Sequence, residues 1–435
     1  FLTFNAALLV WLSFFINAIL LFLIMVFHLF YEKGYSPFLS SYIVFTFLFF
    51  LVAPIVQIDS FIGLQEAKFV TNFPYSQSLV IYANFIIFIF NLVFITFYIQ
   101  LKKVKKITTK KITNYQKKVL PFIILVLVAF SIFISLISFG FIIEEITRPN
   151  WLKSKTSTFL LLMWKKFLFF IPLAGIILCF QYFRNGIKNK NNYINVIIFL
   201  ILLLILLFWF KNPLTEKRNA LGPIYITLIF LFIPKLLNSN IKTLSFLFFS
   251  MIIIFPLTAI LTHSDATFLE MYRNPSILID QMKGGGIVNA FTSLNYDAFA
   301  NNAATIELVH TQGFSYGYQL LGGVFFFIPR SIWTIKPFSS GEMIGEYLVN
   351  NYGYGFTNLS NSFVSEGFLN FGILGVVLFA IILAFVIIKL ISWLNCDNLL
   401  KKMMAFYFSI HLIFFLRGDF TNGFSYYIGP LLAVV

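Results

Sequence analysis

The chain has 435 residues, of which 60% are hydrophobic and only 11% charged, with a mean hydropathy of +0.90 and a net charge of +15. A soluble domain of this composition would expose apolar surface on every side, so the composition predicts a polytopic membrane protein instead. The two cysteines, Cys179 and Cys396, indicate neither a disulfide framework nor a cysteine-based metal site.

Apolar runs long enough to cross a bilayer as helices occur about eleven times along the chain. In chain order they are 6–30, 37–58, 78–100, 119–143, 159–183, 193–210, 219–237, 244–262, 366–391, 403–416 and 424–435. The sequence therefore predicts an all-α fold with three parts. Eight spans with short loops occupy 1–262, a long loop occupies 263–365, and three further spans occupy 366–435.

The loop after the third run fixes the orientation. It reads KKVKKITTKKITNYQKK, with eight lysines and no acid, and is predicted to be cytoplasmic. Alternation then places 17 positive residues inside against only Glu32 and Asp397, and 14 residues of each sign outside. Insertion and contact with anionic lipids explain the basic inner loops, so nucleic acid is not an expected partner.

The outward-facing loop 263–365 has the most room for function. Its apolar piece LLGGVFFFIP, residues 320–329, is too short to span and predicts an interfacial or re-entrant segment. Pro329 would end such a helix. Arg330 would then stand at the membrane surface, where a guanidinium can bind a phosphate through two parallel hydrogen bonds.

Four of the six arginines fall on the outer side next to or between spans: Arg218, Arg273, Arg330 and Arg417. Headgroup contact or a structural ion pair would explain each one alone. Four at similar depth favour an anion site, because charge near a bilayer is costly and tends to mark function.

Two smaller groups of outer charges have structural explanations. Arg148 is predicted to pair with Glu144 and Glu145. Lys165 and Lys166 interrupt an apolar run, and a span that begins after them would remove this anomaly.

Acids and histidines on the outer side are candidates for acid–base chemistry. Glu366 begins an apolar run, where the helix dipole favours a carboxylate, but it could also orient an arginine or accept a proton. Asp419 follows Arg417 by two residues, and His263 and His310 are the outer histidines. No HExxH motif, paired histidines or Walker-type loop appears, so zinc hydrolysis and cytoplasmic ATP use lack support and no cofactor is expected.

Four stretches together resemble the Wzy-type O-antigen or oligosaccharide repeat-unit polymerases: EKRNALGP, PRSIWTIKP, LSNSFVSEGFLNFGILG and RGDF. The motif likeness covers mainly 211–222 and 295–423, and the hydropathy pattern extends it to the whole chain. Some members carry an arginine followed after ten residues by glycine in outer loops. Arg273 to Gly284 and Arg330 to Gly341 have this spacing, although both copies lie in one loop.

The resemblance implies a GT-C-like, metal-independent glycosyltransferase of the bacterial cytoplasmic (inner) membrane, with its active site on the periplasmic side. It would move a growing glycan from undecaprenyl pyrophosphate to the non-reducing end of an incoming lipid-linked repeat unit, for O-antigen, other lipopolysaccharide or capsule. Its partners would be the undecaprenyl-pyrophosphate-linked oligosaccharide, membrane lipids and a chain-length regulator.

Site roles follow from this chemistry. Cations at headgroup height would stabilise the pyrophosphate leaving group, and we assign this role to Arg218, Arg273, Arg330, Lys336 and Arg417. For a base or an orienting group we name Glu366, His310, Asp297 and Asp419, in that order, with Arg330 also counted as catalytic.

Two rival functions share much of this architecture. An O-antigen ligase would use the same donor, and a flippase would move the lipid-linked unit without chemistry. Transporters often carry internal repeats and broken helices near the midplane, whereas this chain concentrates its polar residues in one outer loop. A metal-dependent GT-C enzyme would need paired acids in the first outer loop, where Asp59 and Glu66 stand seven apart.

Overall fold

The computed structural model describes residues 8–64, 76–104, 114–147, 157–185, 190–213, 216–255, 273–274, 276, 291 and 294–435. All regular elements within these ranges are helical, so the all-α prediction is confirmed for them. Eight helices of the described ranges are long and apolar enough to cross a membrane: Leu8–Tyr31, Pro37–Ile58, Gln77–Lys103, Val119–Ile146, Phe159–Arg184, Asn192–Phe210, Phe363–Leu394 and Leu399–Arg417.

The α-helices of the described ranges are numbered in chain order. They are α1 (Leu8–Val26), α2 (Pro37–Phe47), α3 (Ala53–Leu64), α4 (Gln77–Val104), α5 (Asn114–Thr147), α6 (Thr158–Leu162), α7 (Ile171–Arg184), α8 (Lys190–Phe210), α9 (Arg218–Phe232), α10 (Asn240–Phe249), α11 (Ala298–Gln312), α12 (Tyr318–Val324), α13 (Ser340–Tyr352), α14 (Phe363–Leu394), α15 (Leu399–Arg417) and α16 (Phe420–Val434). Short π-helical turns extend four of these runs at Phe27–Tyr31, Leu48–Val52, Met163–Phe167 and Ser250–Ile254.

Three of the eleven predicted spans coincide with shorter helices. The run 219–237 corresponds to α9 and the run 424–435 to α16, each of 15 residues. The described part of the run 244–262 is α10 with its π-helical turn, which together end at Ile254. A membrane crossing by these three segments stays a prediction.

The chain forms two compact units. Unit 1 comprises Phe1–Lys105, Leu237–Lys389 and Leu412–Phe424. Unit 2 comprises Lys106–Leu236, Leu390–His411 and Ser425–Val435. The division at 262 and 365 predicted from hydropathy concerns membrane topology, which is a different property, and it stays a prediction.

A buried carboxylate joins the end of the first helical run to α4 in unit 1. Glu32 accepts hydrogen bonds from Tyr98 and Lys102 and contacts the ring of His28. Burial raises the pKa of Glu32, but His28 and the charge of Lys102 outweigh burial and hold it below its ordinary value. One of the eight clustered lysines therefore has a structural partner.

Helix α14 is broken near its start. Phe371 and Gly372 leave helical geometry, and Gly372 has a φ of 59°, a left-handed conformation that glycine adopts without steric cost. A Cβ on Gly375 would lie 1.9 Å from the carbonyl oxygen of Gly367, whereas eight residues of straight helix would separate them by about 12 Å. The chain therefore folds back at this point.

The predicted span 366–391 is interrupted by this break. Glu366 lies on a short arm, residues 363–370, and only residues 373–394 form a continuous helix of spanning length. The backbone N–H of Ser315 donates to Leu369 O at 2.9 Å, and that of Gly317 to Asn370 Oδ1 at 2.7 Å. The loop before α12 thus caps the C-terminal end of the short arm.

Helix α13 has clear start and stop signals. Ser339 accepts the N–H of Glu342 at 3.3 Å, and Gly353 ends the helix with a φ of 67°. Gly341 and Gly345 lie one turn apart on the face that meets the segment before α14. A Cβ on Gly345 would lie 2.0 Å from the carbonyl oxygen of Thr357, so the chain can approach only because glycine stands there.

In unit 2, a network of paired charges includes Lys165. The helical run continues through Lys165 and Lys166, in the π-helical turn, and a membrane crossing that begins after them stays a prediction. Lys165 contacts Glu145 at 2.6 Å and Glu216 at 3.7 Å. Paired charges make burial of the lysines tolerable; the predicted partner of Glu145, Arg148, lies outside the described residues.

The same network includes the buried Lys211. Its Nζ donates to Lys165 O at 2.7 Å and contacts Glu216 at 3.3 Å. Burial raises the pKa of Glu216, but the charges of Lys211 and Lys165 outweigh burial and lower it overall.

Candidate active site

Two of the predicted site residues, Asp297 and Arg417, form an ion pair in unit 1. Arg417 Nη2 donates to Asp297 Oδ1 at 3.1 Å. Asp297 is 2% exposed and also accepts from Ser360 Oγ at 2.8 Å and from Asn301 Nδ2 at 3.0 Å. Arg417 is the last residue of α15, where the helix dipole favours a cation. The carboxylate is therefore fully engaged in holding this corner together.

The polar face of α11 continues from this ion pair. Thr305 Oγ1 donates to Asn361 Oδ1 at 3.3 Å, and Ser365 Oγ donates to Asn302 Oδ1 at 3.0 Å. The serine- and asparagine-rich stretch around the start of α14, which carries part of the family resemblance, thus packs against α11 through hydrogen bonds.

Glu366 joins four segments of unit 1. It is 1% exposed and accepts hydrogen bonds from the Ser340 hydroxyl, from the backbone N–H of Phe420 at 2.8 Å and from Gln319 Nε2 at 3.2 Å. These donors belong to α13, α16 and α12, so one carboxylate holds three helices against the short arm of α14. Its place in the first turn of that arm also fits the dipole explanation.

Asp419 lies beside this junction and caps α16. Its Oδ1 accepts the N–H of Asn422 at 2.8 Å, and its Oδ2 accepts Asn422 Nδ2 at 2.9 Å. The next residue, Phe420, supplies the backbone donor to Glu366. The structure therefore brings Glu366 and Asp419 to the same place, with Arg417 two residues away.

The segment that carries Arg330 differs from the prediction. Helix α12 ends at Val324, five residues before Pro329, because the chain enters a series of tight turns after Gly322 and Gly323. Arg330 donates to Lys336 O and, at 3.2 Å, to Pro337 O. Its guanidinium lies 4.4 Å from the ring centroid of Phe338.

Lys336 fixes the other side of the same turns. Its Nζ donates to Phe326 O and Ile328 O, each at 2.9 Å. Burial and the positive charge of Arg330 lower the pKa of Lys336. We call residues 325–338 the cationic loop; its exposed apolar side chains are Phe325, Phe327, Ile332, Ile335 and Phe338. Apolar side chains around two cations are the composition expected of an interfacial segment.

Glu342 lies between the cationic loop and the junction. Burial raises its pKa, the charge of Arg330 opposes this, and the charge of Asp419 adds to it. A Cβ on Gly341 would lie 3.3 Å from Asp419 Oδ2 and 2.2 Å from Leu359 O. The glycine that follows Arg330 after ten residues is thus required by close packing at this junction.

The remaining predicted residues lie elsewhere. Arg218 is the first residue of α9, in unit 2. Arg273 is exposed, and Gly284 and His263 lie outside the described residues. Convergence of four arginines on one anion therefore stays a prediction. His310 is exposed and lines a cavity that none of the other predicted residues lines.

Sequence reasoning missed several residues that build the site. Ser340 and Gln319 bind Glu366, and Ser360 binds Asp297. The sequence did hold a signal for one further residue, Glu307. It stands three residues before His310, and this spacing places both side chains on one helix face. Within the described residues, no group of three His, Cys, Asp or Glu side chains could hold a metal ion.

Comparison with known families gives a match to one family model over the last 132 of the 435 residues. Residues 304–435 match the family model described as O-antigen polysaccharide polymerase Wzy. The resemblance noted in the sequence is confirmed by this match, and the Wzy match includes Arg330, Glu366, Arg417 and Asp419. It supports O-antigen repeat-unit polymerisation in general and implies lipid-linked oligosaccharide substrates. With eight helices able to span, it indicates an integral membrane protein. No curated protein and no solved structure matches the chain.

Proposed function

We propose that this protein transfers a growing glycan from undecaprenyl pyrophosphate to the non-reducing end of an incoming lipid-linked repeat unit. The reaction takes place at the extracytoplasmic face of the bacterial cytoplasmic membrane. The observation that carries the proposal is the Wzy match over residues 304–435, the part of the chain that contains both the cationic loop and Glu366.

The transfer makes one bond and breaks one. A hydroxyl oxygen of the acceptor sugar bonds to the anomeric carbon of the growing glycan, and the bond from that carbon to the pyrophosphate oxygen breaks. The electron pair leaves with undecaprenyl pyrophosphate, and the hydroxyl proton passes to a base. The largest demand on the protein is positive charge held at the departing pyrophosphate.

Arg330 and Lys336 meet this demand best. Both hydrogen-bond to carbonyl oxygens of their own loop, and these bonds fix the directions of the two cations. Lys336 has a lowered pKa partly because Arg330 is close, and an anion between them would relieve that repulsion. Arg218, Arg273 and Arg417 are proposed as further phosphate contacts.

The accessible base is His310. Glu366, Asp297 and Asp419 are 1%, 2% and 3% exposed and already accept hydrogen bonds or an ion pair. His310 is exposed and lines a cavity, so an acceptor hydroxyl can reach its imidazole. We therefore assign proton acceptance to His310 and positioning roles to the three acids.

Reconstitution with purified lipid-linked repeat unit in the presence of EDTA tests the mechanism. We expect wild type to produce a ladder of polymers and Arg330→Ala to lose it. Arg330→Lys should retain a minor part of the activity, because lysine keeps the charge but not the two-pronged geometry. Arg184→Ala is the matched control, since Arg184 is exposed at the end of α7. A metal requirement, or full activity of Arg330→Ala, would contradict the mechanism.

Deletion in cells separates the proposed polymerase from its rivals. Surface chains one repeat unit long are the expected result for a polymerase. Loss of all attached chains would indicate a ligase instead. Movement of the lipid-linked unit across vesicles without a new glycosidic bond would indicate a transporter.

A further inference from the structure

An open cavity of about 650 Å³ lies in unit 1, where the start of α4 meets the last turns of α11 and α13. This volume is typical of small-molecule sites, which range from about 300 to 1,000 Å³. The polar and aromatic side chains that line it are Ser76, Ser78, Tyr82, Glu307, His310 and Tyr352. The proposed function uses only His310 among them.

The acidic group of the cavity is held in place. Tyr352 Oη donates to Glu307 Oε1 at 2.6 Å. Burial and this hydrogen bond raise the pKa of Tyr352, so its phenol stays protonated and remains a donor. A carboxylate has about four acceptor positions, so Glu307 can still accept hydroxyl groups from a ligand.

An aromatic ring from the start of α4 also lines the cavity. Tyr82 is partly exposed and packs edge-on against Phe368, with ring centroids 6.0 Å apart. Phe368 belongs to the short arm of α14 that also carries Glu366. A partly exposed, immobilised tyrosine next to a carboxylate and serine hydroxyls offers apolar surface for a sugar ring and hydrogen-bond partners for its hydroxyls.

The charge of the lining residues determines which part of a lipid-linked glycan the cavity can bind. Among the described residues that line the cavity there is no lysine or arginine, whereas Glu307 contributes a carboxylate. A diphosphate or an acidic sugar would be repelled there. Neutral and N-acetylated sugars keep the hydroxyl donors that a carboxylate accepts and carry no opposing charge.

We propose that this cavity binds uncharged sugar residues of the glycan, apart from the site that holds the pyrophosphate. The proposed function enters only in the identification of the glycan as the natural ligand. Tyr82 supports the sugar ring, Glu307 accepts its hydroxyls, and Tyr352 orients Glu307.

Binding to the full-length protein in nanodiscs can be measured by saturation-transfer NMR. The probes are methyl glucoside, methyl N-acetylglucosaminide, methyl glucuronide and inorganic pyrophosphate. We expect a signal from the two neutral glycosides that falls at least about fivefold in Tyr82→Ala and Glu307→Gln. Glu346→Gln is the control, because it makes the same chemical change at a residue of α13 that does not line the cavity. The Glu307→Gln variant should also narrow the preference of wild type for glucoside over glucuronide.

Several results would overturn the inference. These are absence of a signal from both neutral glycosides, a preference for glucuronide or pyrophosphate, and variants that bind like wild type while eluting as folded protein. In polymerisation assays we expect Tyr82→Ala to raise the KM for repeat unit more than it lowers kcat. If both variants polymerise with an unchanged KM for repeat unit, sugar binding in the cavity is refuted and the proposed function is not. Glycoside binding by a protein that makes no polymer would refute the proposed function and support the cavity.

Discussion

The Asp297–Arg417 ion pair predicts a measurable coupling between two residues that are 120 positions apart. Unit charges about 4 Å apart interact by about 4 kcal/mol at the effective dielectric constant of about 20 found near protein surfaces. Water screens part of this, because the side chain of Arg417 is 23% exposed while that of Asp297 is 2% exposed. We expect a coupling free energy of about 2 kcal/mol.

A double-mutant cycle measures that coupling. Arg417→Gln alone should destabilise by about 3 kcal/mol, because it leaves a buried carboxylate without its cation. Asp297→Asn alone should cost about 2 kcal/mol, since Ser360 keeps an acceptor oxygen while the new amide NH2 faces the Asn301 donor. The double variant should cost about 3 kcal/mol instead of the sum of about 5. Unfolding free energies in mixed micelles of rising dodecyl sulfate content provide the measurement.

Additivity would refute the structural interpretation. If the double variant loses the sum of the single losses within about 0.5 kcal/mol, the two side chains do not interact. Polymerisation assays on the same proteins add a second criterion. If the ion pair only positions the two segments, each single variant should lose activity and the double variant should regain part of it. If Arg417 binds phosphate instead, the Arg417→Gln variant and the double variant should both be inactive.

Three further predictions concern packing, pH and the junction at Glu366. Gly345→Ala should cost at least about 2 kcal/mol in the same unfolding assay, because its Cβ would lie 2.0 Å from Thr357 O, whereas Gly355→Ala has open space and should be neutral. Because the folded-state pKa of Glu216 is lowered, its stabilisation is present above the ordinary value of 4.5 and is lost as pH falls through the folded pKa. As the pH falls below 4.5, the thermal unfolding midpoint of wild type should therefore drop more than that of Glu216→Gln. Glu366→Gln should destabilise by about 1–3 kcal/mol and reduce polymer formation, because an amide donor would face donors.

The sequence predicted the helices well where hydropathy alone determines them. Eight of the eleven predicted spans correspond to helices of sufficient length. The break in α14 could not be predicted in this way, because apolar residues stand on both sides of Phe371 and Gly372. Its position depends on a left-handed glycine and on the contact between Gly367 and Gly375, which only the folded chain provides.

The chemistry of individual residues identified candidates for the site, but their positions in the sequence did not show which of them lie together. Glu366, Asp419, Asp297 and Arg417 were named for their chemistry; the structure bonds Asp297 to Arg417 and places Glu366 next to Asp419 through the backbone N–H of Phe420. Their partners could not be identified, because Asp297 and Arg417 are 120 residues apart. The early end of α12 was missed because Pro329 is the stronger local signal, while the turns before it depend on Lys336 reaching back to carbonyl oxygens.

Three buried acids of unit 1 differ in their contacts from the two cations of the cationic loop, and this difference supports the proposed anion site. The carboxylates of Asp297, Glu366 and Asp419 are buried and use their oxygens to hold helices together. Arg330 and Lys336 form no ion pair with any described residue and donate to carbonyl oxygens, while Glu342 acts on Arg330 through its charge only. Equal numbers of acids and bases on the predicted outer side therefore do not imply local neutrality. This supports the proposal that the cationic loop, whose two cations form no ion pair with a described acid, binds the pyrophosphate.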